Sequence, residues 1–292
     1  MGTKTWLNLV LLGVVVVLAA LAAFEPGVEA PPPPEPLTTL DRGAVDTLVV
    51  SREGQGDVRL ERRGEHWRLT APLDLPANAH KVAALLDLLA APSQGRVAAA
   101  EGDLERFGLA PPRAAVDYGA TTIAFGATEA LDNRRYLRVG EAVHLVRDRF
   151  FHHVTATPAG FASLRLLGPE PEVASIHLGE GTMVAREAGR WAVTGGPGNL
   201  SADAPVRLAQ AWRDARAMGV EALGDAPPEG RRVRVWLAGG KDPLTFRVYQ
   251  GDGEYWFARP AKGVRYRLPE SSAQALLELA PAEAPPGSAA GG

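Results

Sequence analysis

The chain has 292 residues, enough for one large domain or two small ones at roughly 100–200 residues each. Its 31 Lys and Arg against 34 Asp and Glu give a formal net charge of -3, which speaks against a basic nucleic-acid footprint. Hydrophobic residues at 46% and charged residues at 22% exclude wholesale disorder, and the absence of cysteine excludes disulfides, thiolate zinc sites and a cysteine nucleophile.

The first element is an apolar run from Trp6 to Phe24, WLNLVLLGVVVVLAALAAF, in which Asn8 is the only polar residue. As a helix rising about 1.5 Å per residue it spans roughly 28 Å, close to the bilayer core of about 30 Å. Residues 1–24 therefore read as a transmembrane anchor, with the membrane as partner through Trp6–Phe24. Lys4 and the terminal amine precede the run, Glu25, Glu29 and Glu35 follow it, and the next basic residue is Arg42. Positive charge stays cytoplasmic, so the expected arrangement is a single pass of the inner membrane with the body periplasmic or otherwise extracytoplasmic. Ala20-Leu21-Ala22 fits a signal-peptidase pattern and Val28-Glu29-Ala30 fits it loosely. The length of the run favours an uncleaved anchor, and cleavage is the alternative.

Residues 25–40 are proline-rich, with Pro26, Pro31, Pro32, Pro33, Pro34 and Pro36 in EPGVEAPPPPEPLTT. Polyproline II extends about 3.1 Å per residue, which suits a stiff spacer; the sharper alternative is a ligand for an aromatic-lined groove. At the other end, residues 281–292 lack bulky apolar side chains and read as a disordered tail.

Between these the sequence looks duplicated, with one copy over residues 41–168 and a second over 169–280. The first copy opens with three alternating segments, Val45–Val50, Asp57–Arg63 and His66–Thr70, and the second with Val173–Leu178, Thr182–Glu187 and Arg190–Thr194. Trp67 and Trp191 occupy the same place in the third segment of each. A helix follows in each copy. Ala77–Ala90 carries Val82, Leu85, Leu86 and Leu89 on one face. Ser201–Ala217 carries Val206, Ala209, Gln210 and Arg213, with Trp212 beside them, Ser201 or Asp203 as cap and Pro205 in the first turn.

Four more strands are expected in each copy. Arg113–Tyr118, Thr121–Gly126, Arg134–Gly140 and Ala142–Arg147 correspond to Arg232–Leu237, Pro243–Gln250, Glu254–Pro260 and Gly263–Leu268. Arg113 with Arg232, and Tyr136 with Tyr255, share an offset of 119 residues. Closing helices are expected at Asp148–Val154 and Glu270–Leu279. The predicted class is α+β: a transmembrane helix, then two similar repeats of antiparallel sheet plus helices, each with apolar residues enough for its own core.

The strand run VDTLVVSREG (Val45–Gly54), RLERRGEHWRLTAP (Arg59–Pro72), the helix KVAALLDLLA (Lys81–Ala90), the turn DLERFGLAPP (Asp103–Pro112) and the strand pair RRYLRVGEAVHLV (Arg134–Val146) together resemble the bacterial DUF4340 proteins, an uncharacterised family. The phrase ERFGLAPP (Glu105–Pro112) is the most specific part. The resemblance is good over Asp41–Leu167 and weaker beyond, where GVEALGDAPPEGRR (Gly219–Arg232) stands in place of an FGL-x-P phrase. It implies no catalytic residues. It does imply an envelope accessory role, because members are similar to proteins found beside ABC-type transport systems of the gliding-motility auxiliary kind.

Chemistry-bearing patterns are sparse. Among the six histidines, His144, His152 and His153 gather with Asp148, and Asp148 and His152 would share a helical face at i, i+4. The set lacks HExxH spacing and reads as a solvated helix end, with a metal-dependent site as the sharper alternative. No G-x-S-x-G elbow occurs, and Ser201 is explained by capping. The Gly195-Gly196-Pro197-Gly198 loop lacks the lysine of a phosphate-binding loop. Glu170 and Glu172 sit in the inter-repeat joint, and Glu101, Asp103 and Glu105 suit a helix N-terminus.

The aromatic set Tyr249, Tyr255, Trp256, Phe257 and Tyr266, interleaved with Arg247, Arg259, Arg265 and Arg267, lies on neighbouring predicted strands. One face must be core. The other is a candidate interaction surface, taken as Tyr255, Trp256, Phe257, Arg259 and Tyr266, with ordinary cross-strand pairing as the plainer explanation. The expected function is a membrane-anchored, exported, non-enzymatic accessory protein partnering ABC transporter subunits, with no cofactor, no metal and no nucleic acid. The alternatives are an exported metal-dependent hydrolase using His144, Asp148, His152 and His153, and a module binding envelope glycan or lipid through the strands near Trp256.

Overall fold

The computed structural model describes residues 2–24, 35–97, 101–130, 132–224, 229–251 and 253–282. Most of the expected spacer and nearly all of the expected tail lie outside these residues.

Helix α1 (Thr3–Phe24) covers the apolar run in 22 residues. The side chains described within it run from Trp6 to Leu21, and every large apolar one is exposed, Trp6 at 67% and Leu11 at 64%. Among the described residues, no helix is long and apolar enough to cross a membrane. The chain divides into two compact units, Met1–Glu35 and Pro36–Gly292.

In the second unit the first half holds β1 (Thr47–Arg52), β2 (Gln55–Arg63), β3 (His66–Ala71), β4 (Leu75–Pro76), α2 (Ala79–Asp87), β5 (Gly95–Val97), β6 (Ala114–Asp117), β7 (Thr122–Thr128), β8 (Arg134–Val139), β9 (Ala142–Arg147) and α3 (Phe151–Val154). The second half holds β10 (Val173–Gly179), β11 (Thr182–Glu187), β12 (Arg190–Thr194), α4 (Ala204–Asp214), β13 (Gly219–Ala222), β14 (Arg231–Leu237), β15 (Leu244–Gly251), β16 (Glu254–Arg259), β17 (Val264–Leu268) and α5 (Glu270–Leu277).

Each half forms one sheet in which the paired strands run antiparallel. The first has order β4-β3-β2-β1-β6-β7-β8-β9-β5 and the second β12-β11-β10-β14-β15-β16-β17-β13. Apart from the added β4, the two orders match strand for strand. In each, the chain leaves one edge of the sheet, passes through a helix, and returns as a short strand (β5 or β13) at the opposite edge. Those two returning strands are absent from the sequence expectation, because three or four residues are too few to show a period of two. The closing helix of the first half is a single turn, Phe151–Val154, shorter than the predicted Asp148–Val154.

Alternation builds the sheets. Leu48 and Val50 of β1 point into the core between half-buried neighbours. Helix α2 starts where the Asn78 side chain accepts hydrogen bonds from the His80 and Lys81 N–H groups, at 3.1 and 3.3 Å. Its predicted stripe Val82, Leu85, Leu86 and Leu89 is buried.

The predicted face of α4 is wrong. Ala204, Pro205, Leu208, Ala209 and Trp212 are buried, while Val206, Gln210 and Arg213 are exposed. The bulk of Leu208 and Trp212, four residues apart, sets the buried side. There Trp212 packs against Phe246 and Phe257, and its indole N–H donates to the Leu276 carbonyl at 2.9 Å. Asp203 holds the N-cap position, as one of the two expected caps, though not through its side chain. Asp203 makes no capping bond and instead accepts from Ser201 Oγ and pairs with Arg207 at 3.0 Å.

The main core is one continuous cluster from Leu37 to Leu277, drawing on both halves. Leu37, within the expected spacer, is buried in it, and the Leu37 N–H donates to the Ala91 carbonyl at 3.0 Å. The 119-residue offset relates core-facing Ala114 and Val116 to Val233 and Val235. It does not relate Tyr136 to Tyr255. Tyr136 joins a small cluster with Leu104, Leu109 and Val143 on the outer face of the first sheet, whereas Tyr255 packs against the main core. The connecting turns differ in length between the halves, and an odd shift reverses the face of a strand residue.

Candidate functional site

The two halves meet along the segment that follows the first sheet. The Leu166 N–H donates to the Ala215 carbonyl at 3.2 Å, and the Ala217 N–H to the Leu164 carbonyl at 2.8 Å, so Arg165 and Arg216 lie opposite each other in a short antiparallel bridge. Across the same boundary, Lys262 pairs with Asp74 at 2.9 Å. Asp74 also binds Arg68, and hydrogen bonding from Lys262 leads the causes that hold its carboxyl below the usual range.

Three adjoining depressions follow this joint. The first, about 330 Å³, lies between β3 and α2 and is lined by His66, Trp67, Asn78, His80, Arg165 and Arg216 among others. The second, about 350 Å³, shares His66 and Arg165 with the first. The third, about 470 Å³, shares Arg213 with the second and lies between Trp191 and α4. The repeat is visible here too. Arg62 faces Trp67 across β2 and β3, and Arg186 faces Trp191 across β11 and β12. The Arg62 guanidinium carbon stands 5.2 Å from the Trp67 ring centre, within cation–π range. The equivalence of Trp67 and Trp191 was legible in the sequence; their place along one groove was not, because it depends on the joint.

The histidine–aspartate set does not form one site. Asp148 pairs with Arg135 at 2.7 Å, and the Arg135 guanidinium stacks 3.6 Å from the Phe151 ring centre. His144 Nδ1 lies 3.0 Å from Ser93 Oγ. His152 and His153 stand 3.9 Å apart between ring centres, and His80 of α2 meets His153 edge-on at 5.6 Å. Burial first, then the charges of His152, Lys81 and His80, push the His153 imidazole down to about 4. Among the described residues, no group of three or more His, Cys, Asp or Glu side chains is placed to hold a metal.

The expected aromatic surface is mostly interior. Phe257 and Tyr266 are fully buried on the core face, with Tyr255 and Arg259 half-buried on the same side. Arg259 lies 5.7 Å from the Phe246 ring centre. Trp256 faces outward yet is only 5% exposed, because Arg265 lies 4.0 Å over its ring. Arg265 in turn pairs with Glu221 at 2.7 Å, and Arg267 with Glu254 at 3.1 Å. Around Trp256 the outward side of this sheet therefore presents an ionic ladder over the ring. The Gly195 loop is explained by packing: a Cβ at Gly195 would stand 2.3 Å from the Gly181 carbonyl oxygen.

Residues 67–222 match the family described as a domain of unknown function, DUF4340. The match begins at Trp67 and ends with β13, so it crosses the joint and takes in both equivalent tryptophans, Arg165 and Arg216. No curated protein and no solved structure matches the chain. With more than half of its length matched, the chain belongs to the DUF4340 family.

Proposed function

We propose that this chain is a membrane-anchored accessory protein of the cell envelope. The apolar run Trp6–Phe24, whose described part alone is not long enough to cross, holds it in the inner membrane, and the two-sheet body is exported. The observation that carries this reading is the exposed apolar surface of α1, on which every described large apolar side chain from Trp6 to Leu21 faces outward. A helix apolar on all sides belongs in a membrane or in the core of a larger assembly. The charge asymmetry across the run, Lys4 before it and Glu25, Glu29 and Glu35 after it, supports a cytoplasmic N-terminus. The body acts as a non-enzymatic interaction subunit, with subunits of an ABC-type transporter as its partners. That part of the proposal rests on the company kept by similar family members.

The test is fractionation and protease accessibility of the full-length chain carrying a C-terminal tag. The proposal expects retention in carbonate-washed membranes and digestion of the body by protease added to spheroplasts but not to intact cells. Recovery in the soluble fraction, or a body protected in spheroplasts and cut only after lysis, would contradict it.

A further inference from the structure

The joint between the halves opposes two positive charges. In the Arg165–Arg216 bridge the flanking residues make the backbone bonds, which defines a non-hydrogen-bonded pair with Cα atoms about 4.5 Å apart and both side chains on one face. Like charges directly opposite each other in such a pair are destabilising. Other arginines of the region have carboxylates: Arg42 pairs with Asp87 at 2.7 Å, and Arg213 with Asp214 at 3.4 Å. Among the described residues, neither Arg165 nor Arg216 forms an ion pair. Glu65 lines the same depression, and Glu170 and Asp214 line the adjoining one, with Asp214 paired to Arg213; none of the three forms an ion pair with Arg165 or Arg216. Arg165 is half-buried and Arg216 exposed, so the pair is open to a ligand from the groove side.

We infer that the groove beside this bridge binds a phosphomonoester, its dianionic head held between Arg165 and Arg216 and its apolar or ring portion against Trp67. Two monocations are neutralised by one dianion, and a phosphate monoester carries close to two negative charges at neutral pH. The guanidinium fork matches phosphate oxygens two at a time. His66 and His80, on the same lining, add ring N–H donors. The volume of about 330 Å³ suits a compact small molecule or a lipid headgroup with the start of its tail. The inference concerns the body alone and stands whether or not α1 is inserted in a membrane.

The experiment uses the full-length chain in detergent micelles, titrated calorimetrically with phenyl phosphate and inorganic phosphate, and separately with mixed micelles of the same detergent containing phosphatidic acid. Saturable binding near one site per chain is expected. Arg216→Gln and Arg165→Gln should each weaken it by about tenfold or more, the loss of one charge-assisted contact. Without ligand, Arg216→Gln should melt no lower than the wild type, because it relieves the repulsion and keeps the backbone bonds. Binding of phenyl phosphate without phosphatidic acid identifies a soluble ligand, and the reverse a lipid headgroup. No saturable binding of any probe up to about 10 mM, a concentration that reaches even millimolar affinities, would overturn the inference. So would wild-type affinity in both variants.

Discussion

The two halves share a strand order but cover the outer faces of their sheets differently. On the first sheet the segment Leu104–Leu109 lies over Ala124, Tyr136 and Val143, with the Phe107 and Tyr136 rings 4.5 Å apart, an apolar lid. On the second sheet the corresponding space is closed by Arg265, which covers Trp256 and pairs with Glu221, and by Arg267, which pairs with Glu254. The ERFGLAPP phrase that distinguishes the first half in sequence is this lid. Its absence from the second half accompanies a change of cover with the same topology kept. The most specific phrase of the family resemblance thus has a packing explanation.

Removing the lid's anchor should have the largest effect. Leu109→Ala is expected to cost about 2–5 kcal/mol in urea unfolding, as a buried leucine in a small cluster that cannot collapse to refill the space. A change below about 0.5 kcal/mol, the size of an ordinary surface substitution, would show the lid to be loosely seated. Gly126→Ala should come next, at about 1–3 kcal/mol, because the new Cβ would meet the Phe107 carbonyl oxygen at 2.2 Å. That oxygen cannot retreat without losing its bond from the Ala127 N–H at 2.7 Å.

The halves also carry one depressed histidine each. Burial is the leading cause for both, joined by His152, Lys81 and His80 around His153 and by Arg234 beside His177. A histidine kept neutral in the fold takes up a proton more readily when unfolded, at an ordinary value near 6.5. The stability it confers is complete above that value and is lost as pH falls towards about 4 for His153. Tm should therefore drop across that window. His153→Gln should flatten part of the fall, and addition of His177→Gln should flatten more; an unchanged profile in the double variant would contradict this. The smallest effect is expected at the ionic cover. Arg265→Gln should cost about 1 kcal/mol or less, and the difference from wild type should shrink in about 1 M salt, since the pair is part-exposed.

Much of this architecture was legible where the sequence alternates strongly. The order of long strands and the stripe Val82, Leu85, Leu86 and Leu89 follow from local periodicity. The face of α4 was misjudged because the run Val206, Ala209, Gln210 and Arg213 satisfies helical spacing, while the larger area of Leu208 and Trp212 decides what is buried. Phe257 and Tyr266 looked available because strand alternation fixes which residues share a face but not which face is covered. Arg165 and Arg216 are 51 positions apart in segments without periodicity. Only the bridge that joins the halves brings them together, so no local pattern announced them.

The proposed role is tested most directly by purifying the full-length chain from detergent-solubilised membranes and identifying what accompanies it by mass spectrometry. The same body on an unrelated anchor serves as control. The proposal predicts that stoichiometric subunits of an ABC-type transporter accompany the chain and remain with it on the foreign anchor, which places the contact in the exported body. Recovery of the chain alone, from membranes where it is abundant, would contradict an accessory role.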